Sequence, residues 1–211
     1  MDLKKLIEEA GQRYEPPYDS PIEDILAYNV VKYIRADARL QPQVEAPTPA
    51  GTFRLDFVFR ADGVSVALEC DGEEFHDPWR DEWRDALILG SRDLDDILRI
   101  PGKAISGRMN ICLLHIAEWF PVFFSERGRA NIETLARSEA LAIDEAYGHP
   151  HGQIDLGTDA GRRTMLSMVR IERRSDSVGY LAKLLAFAEQ SSFTTLDDII
   201  EDYKSTTNWS T

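Results

Sequence analysis

The chain has 211 residues, 43% hydrophobic and 29% charged, with a formal net charge of −13. That length accommodates one large domain, or a medium one with an appendage, and a core burying roughly 70% of the unfolded chain's surface. The charge excludes indiscriminate nucleic-acid binding, which needs clustered Lys and Arg, and no segment approaches the ~18 apolar residues of a membrane span.

In chain order, residues 2–10 read as a short amphipathic helix and "YEPPYDS" as a Pro-rich link. The expectation is an N-terminal segment over 1–19 without a secretory apolar region. "SPIEDILAYNVVKYIRA" then opens with Ser20 as N-cap, Pro21 at the first helical position and Glu23 three residues after the cap. Next, "QPQVEAP" reads as a short strand. "TFRLDFVFRADGVSVALECDG" reads as two strands joined by a tight Asp62-Gly63 turn. Strict alternation puts Phe53, Leu55, Phe57 and Phe59 on one side of the first strand and Arg54, Asp56, Val58 and Arg60 on the other. In the second strand it leaves Ser65, Ala67, Glu69 and Asp71 sharing a side, so Asp56, Glu69 and Asp71 are expected on one face of the hairpin.

"DPWRDEWRDALILGS" follows as a helix capped by Asp77, and "DDILRIPG" as a further strand. From about 103 onward the pattern predicts helices alone, over 105–124, 128–147, 159–173, 177–190 and 195–205. A core over 20–125 is therefore expected to precede an all-helical region over 126–211, divided by the loop "GHPHGQIDLGT". Within that region "GRRTMLSMVRIERR" sets five arginines against one glutamate, reading as an exposed, charged helix face. Cys70 and Cys112 sit singly in apolar stretches, as reduced thiols of a cytoplasmic protein do.

The chemistry concentrates in "ALECDGEEFH", residues 67–76. Two carboxylates ~5 Å apart repel by about 3 kcal/mol at an effective dielectric near 20, so a shared acidic face needs protons, arginines or a cation. Arg54 and Arg60 flank Asp56 and offer an ion-pair network. A divalent cation is the alternative, since magnesium takes one or two carboxylates together with waters and a substrate phosphate.

"SPIED", "RLDFVF", "VALECDGEEFH", "DEWRDALI" and "ILRI", in that order over residues 20 to about 101, resemble the PD-(D/E)XK nuclease superfamily, and within it the small Vsr-like (very-short-patch-repair type) endonuclease branch. The resemblance implies an α/β, restriction-endonuclease-like core, a mixed sheet of about four strands flanked by helices. It also implies hydrolysis of DNA phosphodiester bonds with Mg²⁺ or Mn²⁺. Asp56 and Glu69 would be the metal ligands, Asp71 stands where the wider superfamily has lysine, His76 matches the branch's histidine and Glu23 its first-helix glutamate. In these roles the metal would polarise the scissile phosphate and acidify a water, and His76 would move a proton. Glu23 is explained equally by a capping box with Ser20.

Arg84 and Arg99 are candidate phosphate contacts near the site, and Arg162 and Arg163 are candidates in the C-terminal region. His149 and His151 lack a third ligand for zinc, and His115 reads as a core histidine. The expected function is a DNA endonuclease, its acidity calling for a basic protein partner or a larger complex. The alternative is a nuclease-like fold used for binding or assembly without catalysis.

Overall fold

The computed structural model describes residues 18–72, 77–91, 94–142, 152–173 and 179–207. The N-terminal segment, His76 and the His149/His151 pair lie outside the described residues. Helix α1 (Pro21–Val31) begins at Ser20, whose hydroxyl accepts the Glu23 amide, with Pro21 pre-set for the first turn. Three strands follow, β1 (Arg39–Thr48), β2 (Gly51–Ala61) and β3 (Val64–Asp71), each antiparallel to the one before. Asp62 and Gly63 both have positive φ (48° and 78°), the geometry of the tight turn expected between β2 and β3.

Helix α2 (Pro78–Ser91) starts on the Asp77 carboxylate, which accepts the Trp79 amide at 3.0 Å. It crosses over to β4 (Asp96–Pro101), which lies parallel to β3, a pairing that requires such a crossover. Then come α3 (Gly102–Gly107), α4 (Met109–Trp119), a 3₁₀ turn over Pro121–Phe123 and α5 (Glu126–Ala142).

Beyond that point the all-helical expectation fails. Residues 153–172 form β5 (Gln153–Asp159), β6 (Arg162–Ser167) and β7 (Val169–Glu172), so the helix expected over 159–173 is absent. Ala160 and Gly161 both have positive φ (47° and 80°), which makes a tight hairpin turn and pairs β6 back on β5. β7 joins the main sheet antiparallel to β4, completing the five-stranded order β1-β2-β3-β4-β7. Two helices close the described chain, α6 (Tyr180–Gln190) and α7 (Leu196–Thr207).

The sheet is covered on both faces. Phe57, Phe59, Val66, Leu68, Leu98 and Ile100 pack against Leu26 and Val30 of α1, Ile105 of α3 and Cys112 and Ile116 of α4. On the other face Val58, Ala67 and Ile97 meet Ile88 and Leu89 of α2. The outer side of α2, through Trp83, Ala86 and Leu87, packs under Leu184 and Ala188 of α6 and Ile199 and Ile200 of α7. β7, α6 and α7 therefore supply a strand and a covering layer to the same body as α1, α2 and β1–β4. No helix among the described residues is long and apolar enough to cross a membrane.

Candidate active site

The alternation expected for β2 breaks at one residue, Asp56. Phe57 and Phe59 belong to the cluster under α1, whereas Leu55 shares the opposite cluster with Val58 and Ala67. Strict period two would put Leu55 on the side of Phe57. β1 is irregular at the same place: Pro42 pairs with Phe57 and Val44 with Leu55, and Gln43 between them sits at φ 51°. The paired register of β2 with β3 ends at Phe57–Leu68. Just beyond it, the Asp56 carboxylate takes the Cys70 amide (2.7 Å), so a side chain does the work of a strand carbonyl where the ladder stops. Arg84 donates to the Arg54 carbonyl at 3.5 Å, meeting the backbone freed there.

Glu69 lies on the α2 side of β3, next to Arg99 in the parallel register. It is only 7% exposed, and its Oε2 accepts from Arg84 at 3.0 Å. Its Oε1 is buried without a hydrogen-bond partner. Arg99 reaches Asp85 through two bonds (2.8 and 3.1 Å), Asp71 at 3.4 Å and Asp81 at 3.7 Å. Burial opposes the charge of Arg99, but the bonds and fields of these carboxylates outweigh it and hold the guanidinium's pKa above its ordinary value. Arg99 is thus committed to an internal ion-pair cluster, while Arg84 braces Glu69.

Electrostatics single out two carboxyls. Burial raises Asp56 to about 6, opposed by the Cys70 amide and assisted by the charges of Glu23 and Asp71. Burial raises Glu69 to about 7, opposed by Arg84 and assisted by Asp56. The flanking arginines expected to offset Asp56 are engaged elsewhere, Arg54 with Asp19 and Arg60 with Gln41. Burial and the surrounding carboxylates push the Cys70 thiol well up, which removes it as a nucleophile.

The structure thus brings together Glu23, Asp56, Glu69, Asp71, Arg84 and Arg99. Arg162 and Arg163 stand on β6, in the separate two-stranded sheet with β5, and Arg163 pairs with Asp155. Glu23 fills the capping role, taking the Ser20 hydroxyl on Oε1 (2.7 Å), and also accepts from Gln43 on Oε2 (2.6 Å). His115 is a core histidine, its Nε2 3.1 Å from the Gln153 carbonyl.

Three residues escaped sequence reasoning. Gln43 gave no signal, because its place depends on strand register. Lys103 and Arg108 line a groove of about 560 Å³ with Ile22 and Gly72, the neighbours of Glu23 and Asp71. Their only signal was a cationic pair soon after the fourth strand. Among the described residues no group of three or more His, Cys, Asp or Glu side chains is arranged to hold a metal ion. Two carboxylates with an unsatisfied buried oxygen nonetheless fit magnesium, which needs no fuller protein cage. No family model, curated protein or solved structure matches the chain.

Proposed function

We propose that this protein is a metal-dependent endonuclease that hydrolyses DNA phosphodiester bonds on a restriction-endonuclease-like, Vsr-like core. One observation carries the reading: Glu69 feels the charge of Asp56, both titrate near neutrality, and Glu69 holds a buried oxygen that no donor satisfies. Magnesium or manganese bound by these two residues supplies a Lewis acid for the scissile phosphate. Arg84 fixes Glu69 Oε2 and leaves Oε1 for the ion. Arg99, locked to Asp85, ties the floor of the site to α2. Lys103 and Arg108 give the adjoining groove a local positive lining for a phosphate backbone. His76, placed by sequence five residues past Asp71, is the proton-transfer group of this proposal. A net charge of −13 calls for a basic protein partner or a larger complex to bring the enzyme to DNA.

A nuclease-like binding or assembly module is the second reading. It is favoured by the missing lysine, replaced by Asp71, and by the lack of a three-residue metal cluster among the described residues. Plasmid and single-stranded DNA incubated with Mg²⁺ or Mn²⁺ separate the two. The nuclease cuts, and Asp56→Asn and Glu69→Gln each reduce cutting to background while circular dichroism stays native. Wild-type rates in either variant would overturn the assignment. A folded wild-type protein that binds no Mn²⁺ and leaves all DNA intact supports the binding module.

A further inference from the structure

We propose that Gln43 is a third, uncharged oxygen donor to the cation at Asp56 and Glu69, and that Glu23 is the positioning residue that aims it. This rests on the metal-dependent reading above and adds to it a residue outside the acidic motif.

The first support is placement. Gln43 lies opposite Asp56, between the pairs Pro42–Phe57 and Val44–Leu55. Asp56 and Glu69 are the residues next to the last β2–β3 pair, Phe57–Leu68, on their respective strands, and Glu69 pairs with Arg99. Extending the neighbouring registers by one step sets Gln43, Asp56, Glu69 and Arg99 in one row across four strands, at the position where β1 and β2 are both irregular.

The second support is the state of the side chains. Gln43 Nε2 donates to Glu23 Oε2 at 2.6 Å, while Gln43 Oε1 is buried with no hydrogen-bond partner. Reversing the amide would set its oxygen against the Glu23 carboxylate, so the pairing fixes which end is offered. Both oxygens of Glu23 are already acceptors, from Ser20 and from Gln43. Glu23 therefore acts through Gln43. The second unpartnered oxygen in the row is Glu69 Oε1, on a side chain more than nine-tenths buried.

A buried unpaired carbonyl oxygen and a non-glycine residue at φ 51° are each unfavourable. Gln43 combines them at one position, which a cation would compensate by taking the free oxygen. Hard divalent cations accept amide carbonyls as ligands. A neutral donor also completes the set without adding to the repulsion among Glu23, Asp56, Glu69 and Asp71.

The test measures Mn²⁺ affinity of the full chain by calorimetry, alongside the melting temperature with and without Mn²⁺. Gln43→Gly suits the positive φ and keeps the fold. Gln43→Met keeps the bulk and removes the oxygen. Both are expected to weaken Mn²⁺ binding by about tenfold or more and to shrink the metal-induced rise in melting temperature. Gln43→Gly does so without lowering the metal-free melting temperature. Asp56→Asn, the control for the parent reading, abolishes binding. Wild-type affinity in Gln43→Gly, with Asp56→Asn inactive in binding, overturns the role of Gln43 and leaves the two-carboxylate site standing. No Mn²⁺ binding by the wild type overturns both.

Discussion

A carboxyl that titrates near 7, as Glu69 does, is neutral over much of the range in which a surface glutamate is charged. Unfolded, Asp56 and Glu69 titrate near 4, and folded near 6 and 7. Between those limits the native state binds more protons than the unfolded one. Stability therefore falls as pH rises from about 4 to about 7, by about 3 kcal/mol for each group once ionised. Glu69→Gln removes the titration and keeps an acceptor for Arg84. It should raise the melting temperature of the metal-free protein by about 6–12 °C at pH 8 and hardly at all at pH 4. An equal shift at both pH values would show that Glu69 is not the group responsible. At this scale Asp56 and Glu69 were legible, because an aspartate inside a strand and a glutamate at a strand end stand out against β propensity. Gln43 was not, since an amide beside a proline says nothing until the register puts it opposite Asp56.

Elements with local signals were readable from sequence. Ser20-Pro21 starts α1, Asp77-Pro78 starts α2, and Asp62-Gly63 turns β2 into β3. The face assignment of β2 was half right, because alternation cannot foresee the irregularity at Asp56. β6 was misread because Arg, Met and Leu are good helix formers, while the Ala160-Gly161 turn and pairing with β5 decide the outcome. Gly128 shows the same contest in reverse. It lies in α5, where helix propensity favours alanine over glycine by about 1 kcal/mol. A Cβ there would overlap the Tyr33 carbonyl oxygen, which accepts the Ser125 amide at 3.2 Å. Gly128→Ala is therefore expected to destabilise by about 1–3 kcal/mol, seen as a lower urea midpoint. A higher midpoint would show that this close approach does not govern the helix.

For the whole molecule, the C-terminal residues are structural rather than appended. Trp83 is fully buried, with the Tyr203 ring 5.0 Å and the Phe187 ring 6.1 Å away, both edge-on. Without α6 and α7, Trp83, Ala86 and Leu87 lose their cover. A chain ended after residue 173 should therefore lose its near-ultraviolet circular dichroism and bind hydrophobic dyes, even though every proposed catalytic residue is retained. Native spectra from that truncation would show that the core is complete at β7. Fold class was legible at this scale because strands and helices alternate early in the chain. The extent of the body was not, since the partner of β4 lies beyond a long helical stretch.

That distant partnership has a consequence for synthesis. The pairing of β4 with β7 sets Asp96 opposite Glu172, and a side-chain bond joins Asp96 to Arg170, 74 positions along the chain. While the protein is being made, the apolar strand Asp96–Pro101 is finished long before the residues that will cover its outer edge. A nascent chain passes through a stage with an open, sticky sheet edge, the kind of surface that recruits chaperones or other chains. Its yield in cells should depend on how quickly translation proceeds from β4 to β7.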